Sequence, residues 1–87
     1  MYKNLWLNRF QARKDVVWQC LSILASNLIW IKSNAFSDLD FGVADIEDAL
    51  NYLTSKDLAE YDFHFDSYRL TDAGFLRYCQ YKLANFL

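Results

Sequence analysis

Proline is absent from this 87-residue chain, and glycine occurs only twice. That composition excludes collagen-like and Pro/Gly-rich architectures, and no repeat or low-complexity tract is present. Cysteine is scarce too. Cys20 and Cys79 are too few for a disulfide scaffold, and neither they nor the lone His64 lie at zinc-ligand spacing, so the chain reads as a reduced, cytoplasmic protein. Long apolar runs are missing: Ser22, Ser26 and Asn27 interrupt the longest, and nothing approaches the roughly 20 apolar residues of a membrane helix. Neither a signal peptide nor a lipidation motif is visible, so no membrane association is expected. A Gly-rich phosphate loop and a metal-ligand cluster are also lacking, and neither enzyme activity nor a cofactor is expected.

Large side chains are plentiful. Hydrophobic residues make up 54% and aromatic residues 18%, which suits a single small domain that must compensate for a poor surface-to-volume ratio. One domain spanning 1–87 is expected, with its core at about 14–82 and a docking segment at 1–12. The net charge of −2 conceals an uneven distribution. Residues 1–32 carry five bases against one acid, whereas the remainder carries four bases against ten acids. Such asymmetry suggests distinct faces for distinct partners.

Along the chain, Tyr2, Leu5, Trp6 and Phe10 recur at helical spacing. Asp15 is placed to cap a helix whose apolar stripe runs Val17, Leu21, Leu24 and Leu28, with Cys20 and Ile31 beside it. Ile29 to Ile31 is β-branched and aromatic enough to form a short strand. A short helix or turn around Phe36, Leu39 and Phe41 follows, and Gly42 breaks the backbone. Ile46, Ala49, Leu50 and Leu53 then follow the i, i+3, i+4, i+7 pattern of a helix. The period next changes to two: Tyr61, Phe63 and Phe65 alternate with Asp62, His64 and Asp66, predicting a hairpin over about Tyr61 to Leu70 with one aromatic face. Thr71 and Asp72 open a last helix, where Phe75, Cys79, Leu83 and Phe86 form a stripe widened by Leu76, Tyr78, Tyr81 and Leu87.

The predicted fold class is therefore α+β, mainly helical with a two-stranded wing. The order of elements is that of a winged helix-turn-helix domain. Residues 49–78, ALNYLTSKDLAEYDFHFDSYRLTDAGFLRY, resemble the third helix, wing and following helix of the bacterial multiple-antibiotic-resistance and phenolic-acid regulator superfamily. Leu50 and Leu53 match its helix, Leu58 the strand start, and Tyr68, Leu70, Thr71 and Gly74 the exit from the wing. The DFGV stretch, Asp40 to Val43, is similar to small uncharacterised winged-helix proteins of bacterial and prophage origin. Asp57 stands where the family pattern usually has Gly, and Asp accepts a left-handed backbone.

The resemblance implies DNA binding through the third helix and wing, with Arg9, Arg13, Lys14, Lys56 and Arg69 on phosphates and Asn51 toward bases. The charge of that surface argues otherwise. Between Ser37 and Asp66 nine acids face one base, Lys56, and phosphate is repelled where it should dock. That inversion outweighs a base contact by Asn51, worth about 1–3 kcal/mol. The reading that follows is a non-enzymatic adaptor, inhibitor or regulator that binds a basic protein surface through Asp38, Asp40, Asp45, Glu47, Asp48 and Asn51. A merely solvated acidic face is the plain alternative. The last helix carries more apolar surface than one core covers, so a homodimer through Tyr2, Leu5, Trp6, Tyr78, Tyr81, Phe86 and Leu87 is expected. A calcium loop at Asp38–Asp40 is excluded by Val43 and Ala49 at its required Gly and Glu positions. Asp62, His64 and Asp66 on one strand do not close a metal sphere. Trp6, Trp18 and Trp30 are expected as core or interface anchors in preference to stacking platforms for single-stranded nucleic acid.

Overall fold

The computed structural model describes residues 13–86. Its elements are helix α1 (Lys14–Asn27), strand β1 (Ile31–Lys32), a 3-10 helix (Ser33–Asp38), helix α2 (Val43–Ser55), strands β2 (Ala59–Asp62) and β3 (Ser67–Leu70), and helix α3 (Asp72–Phe86). The fold is α+β. Its sheet is antiparallel in the order β1-β3-β2, an arrangement compatible with a winged helix-turn-helix. The expected two-stranded wing is thus part of a three-stranded sheet, because the β-branched run after α1 pairs Ile31 with Tyr68.

The core forms where the period-3.6 stripes of the helices meet the inner face of the sheet. Val16, Val17, Cys20, Leu21, Leu24 and Ala25 of α1 pack with Ile46, Ala49, Leu50 and Leu53 of α2, and Phe36 closes the gap between them. Ile31, Ala59 and Leu70 complete it from the sheet. At one end Trp18 stacks on Tyr81 of α3 at 4.0 Å, so this tryptophan anchors a helix as expected. Trp30 is instead 41% exposed and lies under the Arg69 guanidinium at 4.7 Å.

Helix boundaries differ from the sequence reading in two places. Arg13, and not Asp15, holds the N-cap position of α1; Asp15 sits within the first turn, where its charge favours the helix dipole and pairs with Arg13 at 2.8 Å. At the other end Leu28 leaves the predicted stripe, because it is the C-cap in left-handed backbone (φ 54°), and its side chain is 59% exposed. Asp57 is left-handed as expected, with φ 59°.

The hairpin is shorter than its alternating pattern. β2 begins earlier, at the buried Ala59, and ends at Asp62. Phe63 and Phe65 fall in the turn, 73% and 70% exposed, since the sheet has no second layer over its tip. The turn hydrogen bond from the His64 N–H to Asp62 Oδ1 (2.9 Å) ends the strand, an Asx geometry that competes with ladder pairing.

The junction between hairpin and α3 is built on backbone contact. Thr71 caps α3 by accepting the Gly74 N–H on its hydroxyl (3.0 Å), and the same hydroxyl donates to the Asp57 carbonyl (2.6 Å). The Thr71 N–H donates to the Leu58 carbonyl at 3.2 Å. A Cβ on Gly74 would stand 1.9 Å from that carbonyl oxygen and 2.8 Å from Leu70 Cδ1, so only glycine lets α3 come this close. Gly74→Ala is therefore expected to destabilise the fold by about 1–3 kcal/mol or more in urea unfolding. Gly42→Ala, whose Cβ meets nothing nearer than Asp45 Oδ2 at 4.0 Å, is expected to cost less than about 1 kcal/mol in the same measurement.

Candidate functional site

An open groove of about 590 Å3 runs between α2 and the wing. Its floor is Ile46, Leu50 and Tyr68, its helical wall carries Val43, Glu47, Asn51 and Thr54, and its far wall is Tyr61 and Asp66. The helical period places these residues here. With Ile46, Ala49, Leu50 and Leu53 turned to the core, about 100° per residue brings Glu47 and Thr54 to one flank of α2 and Asp45 and Tyr52 to the other. Register does the same for the wing: Tyr61 pairs with Tyr68 on the inner face, their rings 4.7 Å apart. Neither tyrosine was singled out for a site by its position in the sequence, although the alternation of the wing already put Tyr61 on an aromatic face.

Asp66 fixes the geometry of the groove. Its carboxylate accepts hydrogen bonds from the Tyr61 hydroxyl (2.7 Å) and from the Ser33 hydroxyl, and its backbone carbonyl accepts the Ser33 N–H at 2.9 Å. Of the three residues weighed as a strand face, Asp62 closes the turn, His64 is exposed, and Asp66, also exposed, ties the wing to the start of the 3-10 helix. Its φ of 49° is left-handed, a conformation Asp tolerates. The Ser33 and Tyr61 donors, with Lys32 nearby, hold the Asp66 carboxyl below the usual carboxylate range. Reciprocally, hydrogen bonding to Asp66 pushes the Tyr61 hydroxyl up to about 12. Tyr68 is raised as well, first by burial and then by the charges of Asp66 and Glu47. The lining of the groove contains no Lys or Arg among the described residues, and Lys32 lies just outside it near Asp66.

The acids expected on one outward face are spread over several surfaces. Asp45 turns toward α1, where Arg13 bonds it at 3.3 Å while also holding Asp15 and lying over the Phe41 ring. Glu47 enters the groove, and Asn51 is exposed along its rim. Asp48 is half-buried, while Asp38 and Asp40 are exposed beside the 3-10 helix. The expectation that Asp45, Glu47 and Asp48 share one surface is corrected by the helical period, which sets neighbouring residues about 100° apart.

Among the bases of the DNA-binding alternative, Arg13 is engaged as above, and Arg69 pairs with Glu60 at 2.7 Å on the outer face of the sheet. Lys56 lies over the Tyr52 ring, and Lys14 is exposed. Arg9 is outside the described residues, as are Tyr2, Leu5, Trp6 and Leu87 and the side chain of Phe86. Tyr78 and Tyr81, expected at a dimer interface, are instead half-buried on the side of α3 that meets the body.

The groove is lined by two carboxylates, two phenols, and apolar and hydroxyl or amide side chains. No group of three or more metal-binding side chains occurs among the described residues. Cys20 is buried, and burial pushes its thiol up to about 12, far from a reactive thiolate. No helix among the described residues is long and apolar enough to cross a membrane. Comparison with protein-family models, curated proteins and solved structures finds no match.

The hydrogen bonds of Asp66 carry a pH dependence whose sign is fixed by its lowered pKa. Their contribution is complete above the ordinary carboxylate range and is lost as the pH falls through the depressed folded value. Asp66→Asn, which keeps the left-handed backbone accessible, is expected to lower stability at neutral pH. It is also expected to shrink the stability lost between neutral pH and about pH 3, as followed by denaturant unfolding at each pH.

Proposed function

We propose that this chain is a cytoplasmic winged-helix interaction module without catalytic activity, which binds a protein partner carrying a basic surface. The observation that carries the reading is the charge of the α2–wing groove. Glu47 and Asp66 line it with no Lys or Arg among the lining residues, Lys32 near Asp66 being the adjacent base, and the hydroxyl of Tyr61 is bonded to Asp66. A lysine or arginine side chain suits such a site: its aliphatic stem covers Val43 and Tyr68 while its charge meets Glu47. Asp48, Asn51, Asp38 and Asp40 extend the acidic surface around the groove, and Asp45 contributes through its pairing with Arg13. The relationship to the multiple-antibiotic-resistance and phenolic-acid regulators belongs to this proposal. It is supported by the motif residues and by the sheet order.

Binding of duplex DNA through α2 and the wing is the competing reading. It needs a cationic surface that releases counterions, whereas Arg13 and Arg69 are already paired with carboxylates. The two readings separate in one experiment. The unmodified protein is expected to retain a protein from a nuclease-treated extract of its source cells, with retention falling as salt rises. It is also expected to leave the fluorescence anisotropy of random duplex DNA unchanged at physiological ionic strength. A Glu47→Lys, Asp48→Lys double variant, confirmed folded by circular dichroism, is expected to lose that protein. Salt-sensitive duplex binding abolished by changing Asn51 or Lys56 would instead establish the DNA reading.

A further inference from the structure

The hydrogen-bond polarity of the α2–wing groove is more one-sided than its charge. Five of the side chains that line it carry hydroxyls, and four of these have their proton committed within the protein. Ser37 donates to the Asn34 carbonyl (2.6 Å) and Thr54 to the Asn51 carbonyl (3.0 Å), while Ser33 and Tyr61 donate to the Asp66 carboxylate. Carbonyls and carboxylates only accept, so the direction of each bond is fixed, and a hydroxyl whose hydrogen is spent in this way offers a ligand only its lone pairs. Asp66 holds two donors and has Lys32 beside it. The Glu47 carboxylate, by contrast, has no hydrogen bond and no ion pair among the described residues. The side-chain donors left to the groove are the Tyr68 hydroxyl and the Asn51 amide.

Such a lining repels ligands that bring acceptors, such as phosphates and carboxylates, and suits a cation with many N–H groups. The two basic side chains differ in this respect. An ammonium is a compact, strongly hydrated point charge with three donors, whereas a guanidinium is weakly hydrated, carries five N–H groups in one plane and accepts nothing. Glu47, Asn51 and Thr54 lie on one flank of α2 over about 10 Å of its axis. A planar fork seated on both oxygens of Glu47 keeps N–H groups for the acceptors around it, and an ammonium in the same place has fewer to spare. Ile46, Leu50 and the half-buried Tyr68 give the aliphatic stem an apolar floor. We propose that the groove is an arginine site, which seats the guanidinium of an arginine from the partner protein on Glu47 in preference to the ammonium of a lysine. This assignment rests on the groove being the surface that meets a basic partner, and adds to that reading the residue the groove selects.

The test uses the full 87-residue chain, isotopically labelled, and two probes: acetyl-Gly-Gly-Arg-Gly-Gly-amide and the same peptide with lysine in place of arginine. In nuclear magnetic resonance titrations the arginine peptide is expected to shift the amide signals of Glu47, Asn51 and Tyr68, and to bind roughly tenfold more tightly than the lysine peptide. Glu47→Gln, which removes a charge and no internal bond, is expected to weaken the arginine peptide roughly tenfold or more while the melting curve stays unchanged. Ser37→Ala combined with Thr54→Val, confirmed folded by circular dichroism, is expected to erase most of the preference, leaving the lysine peptide within about twofold of its original affinity. Equal binding of the two peptides, both lost in Glu47→Gln, would overturn the arginine assignment and leave the basic-partner reading standing. A groove unmoved by either peptide, or a preference that survives the Ser37→Ala, Thr54→Val change, would overturn the assignment as well. The broader reading falls only if the unmodified protein also retains no protein from the nuclease-treated extract.

Discussion

The hydrogen bonds made by Asp66 are the constraint on which the candidate site depends. A two-stranded hairpin is marginal by itself in water, and this one projects its tip, Phe63 and Phe65, into solvent. Its base is held by β1 and by the core, and its turn is fastened by one residue, to Tyr61 within the hairpin and to Ser33 at the start of the 3-10 helix. The wing therefore stands at a set distance from α2, and the groove between them is a feature of the fold. The same carboxylate supplies half of the groove's charge, so the shape and the polarity of the site share one origin.

That coupling explains why electrostatics organises the molecule more than the net charge suggests. Arg13 is shared between Asp15 and Asp45 and covers Phe41, and Arg69 is sandwiched between Glu60 and Trp30. Exposed ion pairs such as these contribute little to stability. Their larger effect is on the surface potential: both guanidiniums are locally neutralised, which leaves Lys32, beside Asp66, to offset the groove carboxylates. An anionic polymer gains little from such a surface, whereas a cationic side chain gains a partner that needs no rearrangement.

Much of the fold was legible in the sequence because its signals are periodic. The apolar spacing of Ile46 to Leu53, the Thr71 cap and the left-handed Asp57 all follow from local chemistry, and the order of elements follows from them. Less legible were features that depend on what lies across from a residue. The alternation Tyr61, Phe63, Phe65 is the same pattern whether or not a second layer covers it, and only the packing shows the strand ending at Asp62. Likewise the acids of α2 are close in sequence yet point to Arg13, to the groove and outward, because the helix turns between them. The groove itself combines residues from four segments distant in sequence, and the key hydrogen bonds span 33 positions from Ser33 to Asp66. No short motif encodes such a pairing.

The missing side chain at Gly74 has a consequence for how this surface can change over time. α3 is located by the approach of its backbone to the Leu58 carbonyl and by the hydroxyl of Thr71, contacts that make no demand on the identity of its outward residues. The helix thus resembles a lever mounted on a fixed pivot. Its outer ridge is free to be rewritten, one residue at a time, for a new neighbour, while its mounting stays the same.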